Sequence, residues 1–243
     1  MPRYRDLGGV PVKRMNAAPP SLTLPRLLFI AFIFRPGLAT MGPLLPDIRR
    51  DLALSGTGTS LLVLAPLVCF GAGAFIVPRL TGRWTTYTVF SAALGLLSIS
   101  LAGRVLGGTP LLFLGTVGVG AAVAVLNVLV PHLVATQFPV RVGPVTGGYS
   151  SMFTASAAVA ALIAVPVAAA GPWGWRGALF SWSLVAVAAL LVWRRTAIVE
   201  DPAPVPAPVG AGLWVVDMAK RPGVLPVTTF MGLQSLTFYT VLA

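Results

Sequence analysis

The sequence contains few charged residues, and acidic residues are the scarcest of them. Only 9% of its 243 residues are charged, and Asp and Glu number 6 against 17 Lys and Arg. Soluble domains carry roughly 25% charged residues. A chain that is 56% hydrophobic, with a mean hydropathy of +0.89, has more apolar surface than a soluble core of this length can bury. The composition therefore excludes a soluble globular protein and predicts a polytopic membrane protein.

The chain also lacks the residue combinations that most enzymes and metal sites require. It has one cysteine, Cys69, and one histidine, His132. A single cysteine forms no intrachain disulfide, and inside an apolar segment we interpret it as a small buried hydrophobe. The sequence has no HExxH motif, no pair of Asp residues inside an apolar segment and no recognisable Ser–His dyad. It therefore predicts a protein that is not an enzyme and that has no cofactor or metal.

Long apolar segments are what the sequence has in abundance. A helix needs about 20 residues to cross a bilayer core about 30 Å thick. Six segments of about this length follow one another at residues 27–48, 58–77, 86–103, 110–134, 145–170 and 176–193. The loops between them are short, which makes sequential segments antiparallel neighbours. We therefore predict an all-α membrane protein in which residues 27–193 form a six-helix transmembrane bundle.

The remaining parts of the chain are polar or begin a further span. Residues 1–26 are basic and too long for the charged region of a signal peptide, so we predict a disordered cytoplasmic tail. Residues 194–223 contain Pro202-Ala-Pro-Val-Pro-Ala-Pro208, which favours an extended tether, and we predict a cytoplasmic linker. Residues 224–243 are again apolar and predict a seventh transmembrane helix. A linker at this place joins two six-helix halves in many transporters, so we expect this helix to start a second, missing bundle.

The basic residues predict the orientation of the bundle. With the N-terminus in the cytoplasm, the outside segments contain only Arg49, Arg50, Arg104 and Arg176. The inside segments contain Arg3, Arg5, Lys13, Arg14, Arg26, Arg79, Arg83, Arg141, Arg194, Arg195, Lys220 and Arg221. This asymmetry satisfies the positive-inside rule for a multi-pass protein of the inner (plasma) membrane. The net charge of +11 then reflects orientation and contact with anionic lipid headgroups, and we expect no nucleic-acid partner.

Arg35 is the one charged residue well inside a predicted span, about 12 Å from its cytoplasmic end. An unshielded arginine at such a depth costs at least about 2.5 kcal/mol, so it should face the bundle interior or an aqueous cavity. Asp47, on the same helix, is about 18 Å away and too far to pair with it. We interpret Arg35 as a counter-charge for an anionic or strongly polar substrate. The alternative is that it caps carbonyls freed by Pro36, or extends its charge towards the interface.

Other polar residues lie at depths where they would complete a site with Arg35. Asn127 in the fourth segment and Gln234 in the seventh are at comparable depth, and Tyr239 follows Gln234 by five residues. Tyr149 lies early in the fifth segment. The alternative for each is a hydrogen bond between helices without any ligand. For His132 we favour a structural, capped side chain over proton coupling, because the acids lie at span ends, in loops or in the tail and none lies deep enough inside a span for a relay.

Several segments, in order along the chain, resemble the cyanate and 2-nitroimidazole permease family of the major facilitator superfamily. They are Arg35-Pro-Gly-Leu-Ala-Thr-Met-Gly-Pro-Leu-Leu-Pro-Asp-Ile48, Ala65-Pro-Leu-Val-Cys-Phe-Gly71, Pro78-Arg-Leu80, Asn127-Val-Leu-Val-Pro131, Phe138-Pro139, Gly148-Tyr149 and Met231-Gly-Leu-Gln-Ser-Leu-Thr-Phe-Tyr239. One departure is the loop Pro78-Arg-Leu-Thr-Gly-Arg-Trp84, which lacks the Asp usual in the superfamily. A gating salt bridge that needs this acid is therefore in doubt.

The resemblance implies two six-span halves with the substrate bound between them near the midplane. Arg35 and Asn127 would come from the first half, and Gln234 and Tyr239 from the second. We therefore expect a secondary transporter of a small polar or anionic solute, working by alternating access and represented by a truncated chain. Its expected partners are the solute, the lipid bilayer and a complementary C-terminal half. The alternatives are a non-transporting membrane fragment or interaction module, and a drug efflux transporter.

Overall fold

A computed structural model describes residues 22–196 together with residues 225–226, 228–230 and 233, which are helical. The predicted tail up to residue 21, most of the predicted linker and most of the predicted seventh span lie outside the described residues. Gln234 and Tyr239 are among the residues outside.

Every regular element in the described part of the chain is helical. Between residues 24 and 194 the helices are α1 (Leu24–Phe32), α2 (Pro36–Ala39), α3 (Met41–Asp51), α4 (Gly56–Thr81), α5 (Thr86–Gly103), α6 (Thr109–Gln137), α7 (Val142–Ala170) and α8 (Gly174–Arg194). They form six helical stretches that are long and apolar enough to cross a membrane. The first span, Leu24–Asp51, comprises α1 to α3, and α4 to α8 are the second to sixth spans. The predicted all-α membrane bundle is confirmed.

Two clusters of buried apolar side chains hold the spans together. The larger joins the first span to α4, α5, α6, α7 and α8 and includes Phe34, Phe90, Leu97 and Trp193. The smaller lies towards the predicted outer face and joins α3, α4, α6, α7 and α8. The spans are buried to different extents by the rest of the bundle. In the most apolar 18 residues of each span, 22% is buried in the second and fifth spans and 56% in the first and fourth. The second and fifth spans therefore present the largest apolar surfaces outside the bundle.

The first span is interrupted near its middle, and the sequence explains the interruption. Pro36 has no backbone N–H, so it cannot bond to the carbonyl one turn earlier, and its ring disfavours a continuous helix. Before it, the Ile33 and Phe34 amides bond to carbonyls only three residues back, at 3.4 and 3.3 Å. Helix α2 is then a single turn, and α3 follows after Thr40. The first span is therefore discontinuous, and Arg35 lies at the break.

A second set of contacts ties the first span to the sixth at the predicted outer face. Asp51 accepts hydrogen bonds from Arg176 Nη1 at 2.6 Å and from Trp175 Nε1 at 3.2 Å. The Arg176 guanidinium also lies 4.4 Å from the centre of the Trp175 ring. The group is partly exposed, so the ion pair itself contributes little, and the shared carboxylate mainly sets the relative position of α3 and α8.

The close packing of α5 against α6 leads to a stability prediction. A Cβ atom on Gly115 would lie 2.9 Å from both the Arg104 Cα and the Ser100 carbonyl oxygen. Gly115→Ala should therefore lower stability by about 1–3 kcal/mol, through overpacking against backbone. Thermal unfolding of the purified protein in detergent measures this. The matched control is Gly95→Ala, since Gly95 has nothing within 4 Å of a built Cβ. Equal unfolding midpoints for the two variants would contradict the packing account.

Candidate functional site

Arg35 is placed by the break in the first span. It is the residue immediately before α2, with Pro36 at the first helical position. Its carbonyl accepts the Leu38 and Ala39 amides at 3.0 and 2.9 Å, so its backbone is fixed by this single turn. The residue itself is half-buried. A guanidinium at this point is therefore held on an ordered backbone while part of it remains accessible.

The side chain of Arg35 has no polar partner within the described part of the chain. The ion pairs found there are Arg50–Asp47 at 3.4 Å and Arg176–Asp51 at 2.6 Å, both at the predicted outer face. No hydrogen bond from the Arg35 guanidinium to a carbonyl is found among these residues. The capping alternative is therefore not what the structure shows. None of the five donors of the guanidinium is used by a residue that the structure describes.

An aromatic cluster packs the first span beside this arginine against the fifth. The rings of Phe34 and Phe153 lie 5.3 Å apart, and Tyr149 meets Phe153 edge-on at the same distance. Phe34 is fully buried and Tyr149 nearly so. This contact fixes the backbone next to Arg35 from the side of α7. Tyr149 is thus a core residue close to the break, and its hydroxyl has no hydrogen-bond partner among the described residues.

Asn127 and His132 lie on α6 with different surroundings. Asn127 is half-buried, and its amide makes no hydrogen bond with a described residue. It is therefore not bonded to a neighbouring helix of this bundle. His132 is exposed, and its carbonyl, not its ring, accepts a bond from Thr136. The predicted structural capping by the His132 side chain is not seen in this part of the chain.

Only two of the four predicted site residues lie in the described part of the chain. Arg35 and Asn127 are both half-buried and have no polar partner in the part of the chain that the structure describes, and no hydrogen bond joins them. Gln234 and Tyr239 lie outside the described residues. The four-residue site therefore stays a prediction.

A further arginine inside the bundle was not predicted from the sequence. Arg104 directly follows α5 and was assigned to an outside loop, yet its side chain is fully buried. Its Nη1 donates to the Gly37 carbonyl oxygen at 2.7 Å, two residues beyond Arg35. Its Nε and Nη2 atoms are buried and have no hydrogen-bond partner among the residues that the structure describes. Two features of the sequence could have indicated this burial. The third apolar segment is short, and the residues that follow it, Arg104-Val-Leu-Gly-Gly108, contain no other polar side chain that would favour a loop in water.

Comparison with known proteins agrees with this architecture. The sequence model of the Major Facilitator Superfamily matches residues 27–243. A solved structure, that of the D-xylose–proton symporter, superposes with a TM-score of 0.64 at 14% identity, covering 89% of this chain and 52% of that one. At this identity the likeness shows the fold alone, a bundle of long helices.

Three further relatives are similar in sequence. The uncharacterized transporter YycB of Bacillus subtilis (strain 168) is 32% identical over 218 residues, 89% of this chain and 53% of that protein. The 2-nitroimidazole transporter of Escherichia coli (strain K12) is 32% identical over 219 residues, 89% and 54% respectively. The cyanate transport protein CynX of the same organism is 28% identical over 179 residues, 69% and 44%. The chain spans about half the length of these relatives. With the family model matched over nearly all of its apolar segments, the predicted family is confirmed: the chain belongs to the Major Facilitator Superfamily.

Proposed function

We propose that the chain contributes to a secondary transporter of a small polar or anionic solute that works by alternating access. The observation that carries this proposal is the position of Arg35, a half-buried cation with no polar partner among the described residues, at the break of a discontinuous span. Discontinuous helices near the midplane form the substrate sites of many secondary transporters, because their freed backbone and side chains face a cavity. Charged residues inside spans are functional by default, since they are expensive to keep there.

The chemistry of a guanidinium narrows the class of solute. Its planar fork of donors matches planar, electron-rich groups such as a carboxylate or a nitro group, and its charge attracts anions. Two relatives are named for cyanate and for 2-nitroimidazole, which have these properties. A drug efflux transporter for lipophilic cations fits less well, because an unpaired cation in the site would repel them. In this proposal Arg35 orients the solute, and Asn127, Gln234 and Tyr239 donate or accept hydrogen bonds.

A second helical bundle is part of the proposal. The second and fifth spans leave most of their apolar surface uncovered within the described bundle, including exposed side chains such as Val68 and Leu162. A complementary half that packs beside these spans would enclose a site from the other side. The alternative, a membrane fragment or interaction module without transport, uses the same surfaces but requires no substrate at Arg35. Substitution of Arg35 therefore separates the two.

The proposed orientation, with a cytoplasmic N-terminus in the inner membrane, is supported by where the basic residues lie. Six of them occupy one end of the bundle: Arg26, Arg79, Arg83, Arg141, Arg194 and Arg195. Arg49, Arg50 and Arg176 occupy the other. Arg104 is buried and does not count as a loop charge, which strengthens the asymmetry that the positive-inside rule requires.

The first test removes the Arg35 guanidinium from the transporter that contains this chain. Arg35→Ala should lower uptake at limiting solute by about 10- to 100-fold, the loss expected for one charged hydrogen bond to the solute. The amount of the Arg35→Ala variant in the membrane should be unchanged. Arg49→Ala, which removes an exposed cation from the outer face, is the control and should transport normally. Normal uptake by Arg35→Ala would remove Arg35 from the site.

The second test asks whether Asn127 serves a ligand or the bundle. Because Asn127 has no hydrogen-bond partner in the described bundle, Asn127→Ala should change the free energy of unfolding of this chain by less than about 0.5 kcal/mol. In the transporter it should still weaken solute affinity. Thermal unfolding in detergent and the concentration dependence of uptake measure the two effects. A clear loss of stability with unchanged affinity would identify Asn127 as a structural contact.

A further inference from the structure

Arg104 reaches from the end of the third span into the middle of the first. Its side chain is fully buried, and it bonds to a carbonyl that lies 67 residues away in the sequence. The acids of the described residues, Asp47 and Asp51, are engaged at the outer face with Arg50 and Arg176. The Gly37 carbonyl is therefore the one hydrogen-bond partner of the Arg104 guanidinium in the described part of the chain.

The carbonyl that Arg104 contacts belongs to the single helical turn at the break. Gly37 lies in α2, between the bend at residues 33–35 and Thr40. It is buried against the third span: a Cβ atom built on Gly37 would lie 2.7 Å from Leu101 Cδ2. One turn of helix has little stability of its own, because forming it fixes several residues for a single hydrogen bond. Its place must therefore be set by what packs and bonds against it.

The backbone of Arg104 is itself held firmly by the fourth span. A Cβ atom on Gly115 would lie 2.9 Å from the Arg104 Cα, so the two helices meet at backbone distance here. Leu101, one turn before Arg104, belongs to the large buried cluster. The Arg104 backbone therefore lies on a closely packed pair of helices, and its side chain bonds to a short, interrupted one. We call this contact between the Arg104 guanidinium and the Gly37 carbonyl the brace.

We propose that Arg104 is a positioning residue, which fixes α2 through the Gly37 carbonyl and so holds Arg35 in place for the solute. Only the functional consequence of this assignment rests on the proposed role of Arg35. The brace itself is a property of the bundle and does not depend on that role. A hydrogen bond from a charged donor to a carbonyl in a buried, low-dielectric setting is stronger than one in water. Without it the turn would lose its polar link to the third span and keep only apolar packing.

Amide hydrogen exchange of the purified chain in lipid nanodiscs tests the brace without any substrate. The amides of Leu38, Ala39 and Thr40 bond to the Arg35 and Pro36 carbonyls and report opening of α2. In Arg104→Met, which keeps an unbranched apolar side chain but removes the donors, their exchange should rise about tenfold or more, as expected for losing a charged hydrogen bond. Amides in the core of α8 should exchange as in the unmodified chain.

Two comparison variants sharpen this experiment. Arg104→Lys keeps a charged donor that can reach the carbonyl and should restore slow exchange at residues 38–40. Arg49→Met removes an exposed cation from the outer face and should change nothing in α2. Unchanged exchange of α2 in Arg104→Met would overturn the proposal. An equal rise in α2 and α8 would also overturn it, because it would make Arg104 a general packing residue.

Hydrogen exchange of the unmodified chain tests the brace without any substitution. If the brace holds α2, the Leu38, Ala39 and Thr40 amides exchange nearly as slowly as those in the middle of α6. Fast exchange, similar to that of the Ala53 amide at the exposed end of α3, would contradict the proposal.

Transport measurements then separate this proposal from the proposed function. With both correct, Arg104→Met weakens solute affinity about tenfold and Arg104→Lys restores it, because only the placement of Arg35 has changed. If α2 loosens in Arg104→Met while Arg35→Ala transports normally, the brace stands and the role of Arg35 falls.

Discussion

The break at Pro36 is the constraint on which the arrangement of this bundle depends. A proline in the middle of a span removes one hydrogen bond and displaces its neighbours, and in a bilayer the backbone groups it frees must be satisfied by the protein. In the short turn that follows the break, two backbone carbonyls accept hydrogen bonds from side chains. Thr40 Oγ1 bonds to the Pro36 carbonyl oxygen at 2.7 Å, and Arg104 bonds to that of Gly37. The same break ends α1 at Phe32 and starts α2 at Pro36, so Arg35 lies between two helices and not inside a continuous one.

Small residues make this placement rigid. A Cβ atom on Gly73 would lie 2.8 Å from the Ala124 Cβ, and one on Gly120 would lie 2.8 Å from the Pro66 Cα, so the second and fourth spans meet almost backbone to backbone. Gly115 does the same between the third and fourth spans. In lipid, where the hydrophobic effect does not drive helices together, this close van der Waals packing supplies much of the association energy. It gives the interrupted first span a firm support on one side, while α7 supports it on the other through Phe34 and Phe153.

The spans could be predicted from the sequence because bilayer thickness sets their length and composition marks them directly. Arg35 could be predicted as unusual for the same reason, since a charge inside an apolar segment is visible without any structure. Arg104 could not. It follows its apolar segment by one residue, so a count of loop charges places it in water. Its burial depends on Gly37 and Gly115, which lie on two other spans, and only tertiary packing brings the three together. The expected capping by the His132 side chain is likewise not seen in the described residues, where His132 is exposed.

The central claim is that the Arg35 guanidinium contacts the transported solute. The most direct measurement is a structure of the transporter containing this chain, determined with a solute that it is shown to take up. The account predicts an electron-rich atom of the solute within about 3 Å of a guanidinium nitrogen of Arg35, the distance of a charge-assisted hydrogen bond. A solute bound elsewhere, with Arg35 paired to a protein carboxylate or carbonyl, would contradict it.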